Sequence, residues 1–282
     1  MTTEAKQLLK LINNASRATG DGSTEVFLKM LNFMVHVLSL GKLGEVPDHH
    51  ELYVPALKMI GSSIQEFGEP EDIKDILGEL YMLVRSEHKG SSLGQYFTPW
   101  PVAKMMAMVV NVGEKEERQT IFDPTCGSGV MLLAAASSCS TKARFNHQYY
   151  GGDLDYVCVM MSCVQCALFG MNFICYHANM LSCDVINCYE VRRTYIETHD
   201  GQVRYASIIV KLEGERLAQE VEKIRIYHKN NEETLQEVVE QAQQPQPQIS
   251  LFDDLVVPTE KKQSAPAKKK VKPITNNQSL FD

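Results

Sequence analysis

The chain has 282 residues, 44% of them apolar, which leaves room for one or two domains around a sizeable core. A formal charge of -7 and a pI near 5.7 argue against a protein that coats nucleic acid or anionic membrane by charge alone, so any DNA contact is local or shared with a partner. No apolar run approaches the roughly 20 residues that span a bilayer, and the opening MTTEAKQLLK lacks the apolar stretch of a secretory signal; the expectation is a cytoplasmic protein with no membrane partner.

In chain order, residues 1–88 read as a helical domain. Leu8, Leu9 and Leu11 begin a first helix, and Val26, Phe27, Met30, Leu31, Phe33, Met34, Val37 and Leu38 form the apolar stripe of a second. A third is expected from about His49 to Phe67. A fourth is expected to open at Glu69-Pro70-Glu71-Asp72, where proline and acids suit a helix start, with Ile73, Ile76, Leu77, Leu80, Tyr81 and Val84 on one side. The charged residues of this domain read as a solvated face, and none is singled out for catalysis.

Residues 89–212 read as a second domain. Gly90 to Pro101 (GSSLGQYFTPWP) breaks the helical pattern and gathers Tyr96, Phe97 and Trp100, either tucked into the core or capping a pocket. The next stretch is strand, tight loop and helix: Ile121-Phe122, Asp123-Pro124, the turn Cys126-Gly127-Ser128-Gly129, then Val130 to Ala136. Gly127 and Gly129 allow positive φ and close approach of a ligand, with the N–H groups of the following helix facing the same space. A second strand, His147 to Gly152, delivers Asp153 24 residues after Gly129, close to the offset at which an acid reaches the ribose hydroxyls of a nucleotide-type cofactor. All eight cysteines lie between Cys126 and Cys188 among apolar residues, as reduced core thiols do; Cys163 and Cys166 form a CxxC inside a helical pattern, and no metal site is expected.

Three of these segments carry a resemblance. LGQYFTPWPVA, DPTCGSGVMLLAA and GGDLDYVCVMMSCVQCALFGM resemble, in order and at proper spacing, motifs X, I and II of the amino-type DNA methyltransferases, specifically the modification subunits of type I restriction systems. The resemblance covers about residues 70–181. It implies an α/β fold: a helical N-terminal domain followed by a partial, doubly wound, Rossmann-like sheet that binds S-adenosylmethionine. Asp123, Cys126, Gly127 and Gly129 would then sit at the methionyl end of the cofactor, Tyr96, Phe97 and Thr98 over the methionine, and Asp153 on the ribose. His177 to Leu181 resembles motif III, where the family has an Asp for the adenine amino group. Asn179 stands there and keeps an acceptor oxygen.

The family's catalytic tetrad, Asn/Asp-Pro-Pro-Tyr/Phe, holds the target amino group and stacks on the flipped base. The sequence contains no such tetrad. The strand most like its carrier is Tyr205 to Val210, followed by Lys211-Leu212-Glu213-Gly214, and Asn187-Cys188-Tyr189 is a poor substitute. Charged helical stretches are expected at Glu213–Ile226 and about Glu232–Gln241, making residues 213–242 a third segment.

Residues 243–282 read as a disordered tail rich in Gln, Pro, Lys, Ser and Ala. It repeats one pattern, QISLFD at 248–253 and NQSLFD at 277–282. Gln248, Leu251 and Phe252, with Leu280 and Phe281 in the weaker copy, resemble the pentapeptide by which bacterial replication and repair proteins dock on the sliding clamp. The lysines between the copies suit a soluble linker or weak phosphate contact. Three readings follow. The chain is a methyltransferase-family protein that works on DNA with a specificity or companion subunit, or a noncatalytic adaptor recruited through its tail, or a nicotinamide-binding Rossmann protein. The last is disfavoured because GSGVML lacks the third glycine of that fingerprint.

Overall fold

A computed structural model describes residues 2–63, 73–86, 96–110, 117–197 and 203–243. Residues 1–221 form one compact unit; of the second, residues 222–282, the structure describes the end of the last helix.

The chain begins with helices α1 (Thr3–Thr19) and α2 (Ser23–Leu38). Thr2 caps α1 by accepting from the Ala5 N–H, and Gly20 closes it in the left-handed conformation at φ +85°. Both helices bury residues three and four apart: Ala5, Leu8, Ile12 and Ala15 in α1, and Val26, Phe27, Met30, Leu31, Phe33 and Met34 in α2. The third expected helix divides into a 3₁₀ turn (His50–Leu52) and α3 (Val54–Ser63). Helix α4 (Ile76–Ser86) starts later than its sequence signals suggest, because Asp75 provides the cap by accepting from the Gly78 N–H; the expected start at 69–72 is outside the described residues except that 73–75 are not helical. α1 and α4 are tied by the Lys74–Glu4 pair at 2.9 Å and by the Thr2 N–H donating to Glu79 Oε2 at 2.8 Å.

Helix α5 (Trp100–Val109) leads to strand β1 (Thr120–Asp123), helices α6 (Val130–Ala136) and α7 (Thr141–Asn146), β2 (Gln148–Asp153), α8 (Tyr156–Leu168) and β3 (Asn172–Asn179). Then come β4 (Asp184–Glu197), β5 (Val203–Lys211) and α9 (Gly214–Gln243). The five strands lie in chain order. β1, β2 and β3 pair in parallel, whereas β3–β4 and β4–β5 are antiparallel. The parallel half is a βαβαβ unit. The strand order does not reverse at β1, which remains an edge among the described residues, so the sheet is the partial one expected. Tyr205 to Val210 belongs to β5, which runs antiparallel to β4.

Helix α8 is apolar almost all round and correspondingly buried between the sheet and the helices α2 and α4. Tyr149, Phe173, Cys175, Tyr189, Val191 and Ile209 join it in one core with the side chains of α1, α2 and α4. The start of α9 is anchored by Tyr176, whose hydroxyl hydrogen-bonds Glu220 Oε2 at 3.0 Å, and by Arg216, which grips both carboxylate oxygens of Glu190. α9 is a single helix where two stretches were expected; Asn230 and Asn231 interrupt the sequence pattern without ending it. α5 lays Ala103 and Ala107 against Val130 and Ala134 of α6, while Met105, Met108, Val109 and Val110 on it are exposed.

None of the eight cysteines is in a disulfide, and every one except Cys183 is buried. Burial pushes the Cys139, Cys158, Cys166, Cys175 and Cys188 thiols up. Cys163 and Cys166 lie inside α8, and among the described residues no three His, Cys, Asp or Glu side chains are grouped to hold a metal.

Candidate cofactor site

The C-terminal ends of the three parallel strands bring the sequence-selected residues into one corner. β1 ends at Asp123, opposite Gly151, and β2 runs two residues further to Asp153, opposite His177 of β3. The turn after β1 is fastened from below: the Cys126 N–H donates to Gly152 O at 2.9 Å, and the Gly129 N–H to Cys126 O at 2.7 Å. Gly127 and Gly129 take φ of +54° and +91°, the left-handed region where a side chain is strained.

Asp153 does more than face outward. Its Oδ2 accepts the Gly127 N–H at 2.9 Å and its Oδ1 accepts the Asp155 N–H at 2.8 Å, so one carboxylate clamps the glycine turn to the start of α8. Asp155 in turn caps α8 through the Val157 N–H at 2.8 Å. From α8, the Ser162 hydroxyl donates to Gly127 O at 2.7 Å and lies 3.4 Å from Cys126 Sγ. Cys126 therefore turns its side chain into the core, beneath Gly151, and offers the corner only backbone.

Asp123 Oδ1 accepts the Thr125 N–H at 3.1 Å. Burial, with a lesser contribution from the nearby Asp153 charge, pushes the Asp123 carboxyl above its usual range. Phe97 stacks on Tyr81 at 5.9 Å, and a Cβ on Gly127 would lie 3.2 Å from the Phe97 ring, so the aromatic segment does cover the glycine turn. Thr98 is half-buried beside it, whereas Tyr96 is 88% exposed. Asn179 is exposed at the end of β3, two residues past the partner of Asp153, and its Oδ1 accepts the Leu181 N–H at 3.1 Å. Met180 packs over Gly152, where a Cβ would collide with its thioether.

A family profile for N-6 DNA methylases matches residues 72–195, which contain the whole of this corner apart from the tail-side strands. That segment is similar to the N-6 DNA methylase family. Among curated relatives, the methylase subunit of the type I restriction enzyme MpnII of Mycoplasma pneumoniae is 23% identical over 135 residues; the match takes in 48% of this chain and only 23% of that relative's length. Two solved structures overlap the fold. A protein of Listeria monocytogenes described as a class I S-adenosylmethionine-dependent methyltransferase has 17% identity and a TM-score of 0.43, over 60% of this chain and 51% of that one. A methyltransferase subunit of a type I restriction-modification system from Streptococcus thermophilus has 15% identity and a TM-score of 0.35, over 63% and 59%.

The matched segment carries no Asn/Asp-Pro-Pro-Tyr/Phe tetrad, and the structure gives the weak substitute no site. Cys188 and Tyr189 are buried inside β4, and Asn187 pairs with His177 across the sheet. Lys211 to Gly214 connects β5 to α9. Gln248, Leu251, Phe252, Leu280 and Phe281 lie outside the described residues and beyond the family match.

Sequence reasoning missed the buried residues that support the turn. Asp75, Ser128 and Gln165 form one hydrogen-bonded cluster behind it, and Ser162 braces it from α8. Only Ser128 had a local signal, lying between the two glycines; the others reach the turn across 35 or more positions of sequence.

Proposed function

We propose that this corner binds S-adenosylmethionine and that the chain is the cofactor-holding part of an N6-adenine DNA methylase, unable to methylate DNA without a partner. The observation that carries the reading is the glycine turn at positive φ, bonded through the Gly127 N–H to the acid that ends β2. The donor set suits the ligand. Each Asp153 oxygen uses one lone pair on backbone and keeps another for a ribose hydroxyl. Asp123, Gly127, Gly129 and Phe97 would hold the methionyl end, with backbone approach permitted by the missing Cβ atoms. The exposed Asn179, with Met180 and Leu181, would meet the adenine. Bound there, the ligand supplies a sulfonium methyl group for transfer; what this chain contributes is orientation and a covered pocket.

Partner dependence has its own support. No Asn/Asp-Pro-Pro-Tyr/Phe tetrad is present, β1 is an edge among the described residues where the family's sheet continues, and α5, packed on α6, exposes apolar surface. A parallel edge strand with an uncovered apolar flank is a poor end for a sheet and a good seam for more of one. The test is calorimetric titration of the purified chain with S-adenosylmethionine, followed by assay of methyl transfer from tritiated cofactor to adenine in DNA. Saturable binding without transfer is expected; transfer by the chain alone would overturn partner dependence, and no binding by folded protein would overturn the cofactor reading.

A second reading rests on the repeated Leu-Phe-Asp of the tail: the chain is brought to DNA by docking those segments on a sliding clamp. Binding to a purified clamp should fall at least tenfold when Leu251, Phe252, Leu280 and Phe281 are all changed to Ala; unchanged binding would remove this reading.

A further inference from the structure

Helix α4 reaches the glycine turn at two places. At its start, the Asp75 side chain is 5% exposed and accepts three hydrogen bonds: from Ser128 Oγ at 2.7 Å, Gln165 Nε2 at 2.8 Å and the Gly78 N–H at 2.9 Å. Gln165 closes the ring, its Nε2 also donating to Ser128 O at 2.9 Å and its Oε1 accepting the Leu77 N–H at 3.0 Å. Two turns along, Tyr81 carries the Phe97 ring that covers Gly127. Gly78 is required for the first contact, since a Cβ there would collide with the Asp75 carboxylate and the Ser128 hydroxyl.

A carboxylate this deep is costly to keep unless its lone pairs are filled, and here all three donors are neutral. Burial pushes the Asp75 carboxyl above its ordinary range, which confirms the cost of the charged form. What the arrangement secures is local. Ser128 is the one side chain between two glycines at positive φ, and glycines release the most backbone freedom when untied. Holding that hydroxyl and carbonyl from two elements holds the turn.

We propose that Asp75 is a positioning residue: from the helical N-terminal region it fixes Ser128, and through it the 127–129 turn, in the conformation that receives the nucleoside-bearing ligand. The ligand half of this inference rests on the cofactor reading above; the mechanical half does not. Because coupling is reciprocal, ligand at the turn also steadies the start of α4.

The test combines hydrogen–deuterium exchange with titration of S-adenosylmethionine, using the full chain. Asp75→Ala should speed exchange at residues 127–130 about tenfold, the scale of one lost hydrogen bond to a charged group. Asp75→Asn keeps an acceptor for Gly78 and Gln165 and can donate to Ser128 Oγ, so it should stay within about threefold of wild type. Ser128→Ala guards against loss of folding in the first variant: it removes one hydroxyl, and should speed exchange at the turn while leaving α1 and α2 unchanged. The dissociation constant should follow the same order, about tenfold weaker in Asp75→Ala and Ser128→Ala and restored in Asp75→Asn. Unchanged exchange at the turn in both disrupting variants would overturn the proposal, as would acceleration spread evenly over all helices. If the wild-type chain binds no S-adenosylmethionine but exchange at the turn follows this pattern, the cofactor reading fails and the positioning role is supported.

Discussion

Asp153→Ala is the most informative single change, because one carboxylate holds two backbone segments as well as facing the corner. The substitution leaves the Gly127 and Asp155 N–H groups without their acceptor. A hydrogen bond to a charged group contributes about 1.5–3 kcal/mol, and both lie at half-buried positions, so the low end applies and the pair sums to about 3 kcal/mol. For a unit of about 220 residues this is about 6–12 °C in Tm, since each kcal/mol shifts the midpoint by about 2–4 °C. Binding should suffer more, because the released turn no longer presents its amides and the ribose loses its acceptor; a loss of at least about a hundredfold is expected, two factors of 1.4 kcal/mol. Asp153→Asn should fall between, since one amide oxygen serves one N–H while the NH₂ opposes the other. Thermal unfolding followed by circular dichroism, with calorimetric titration of S-adenosylmethionine, measures both effects. If Asp153→Ala melts with wild type and binds within about threefold of it, the clamp described here does not hold the turn.

Gly129→Ala should cost about 1–2 kcal/mol, because φ of +91° strains any side chain and the new Cβ would sit 3.3 Å from Ser162 Oγ; denaturant titration checks it. Phe97→Ala uncovers Gly127 and should weaken S-adenosylmethionine binding by about tenfold while shifting Tm by only a few degrees, read by titration and melting of the same sample. Affinity should also depend on pH through Asp123. Its carboxyl is raised in the free protein, and a cationic methionyl group beside it would favour the ionised form, so binding releases a proton. Affinity should therefore be level at neutral pH and fall as pH drops through the raised value, at a higher pH than an ordinary carboxylate would give; Asp123→Asn should flatten that fall. Binding that strengthens on acidification would contradict the assigned contact.

What could be read from the sequence was local. The strand, glycine turn and helix around Asp123–Ala136 are consecutive residues, and Asp153 follows at a spacing set by two short helices and one strand, so composition and order were enough to place them together. The helical region was readable for the same reason, from apolar residues three and four apart. Asp75 was not. It reads as one more acid at a helix start, and its role appears only when Ser128 and Gln165 arrive from 53 and 90 positions away. The β4–β5 hairpin was hidden too, because a strand's sequence does not say whether it continues a parallel sheet or turns back on its neighbour. Asn230 and Asn231 misled in the opposite direction: poor helix formers by propensity, they lie within a helix of 30 residues.

The cysteines give the folded state an unusual relation to air. Seven thiols outside any disulfide are buried and five of them are held in the protonated form by that burial, so oxidants and alkylating reagents find little to react with while the protein stays folded. Unfolding exposes eight ordinary thiols at once on a single stretch of 63 residues. In the absence of a reductant, any chain that cross-links while open is withdrawn from refolding, so repeated excursions deplete the native protein. The lifetime of this protein in oxidising solution is thereby a measure of how often its core opens, and a pulse of iodoacetamide would count the openings directly.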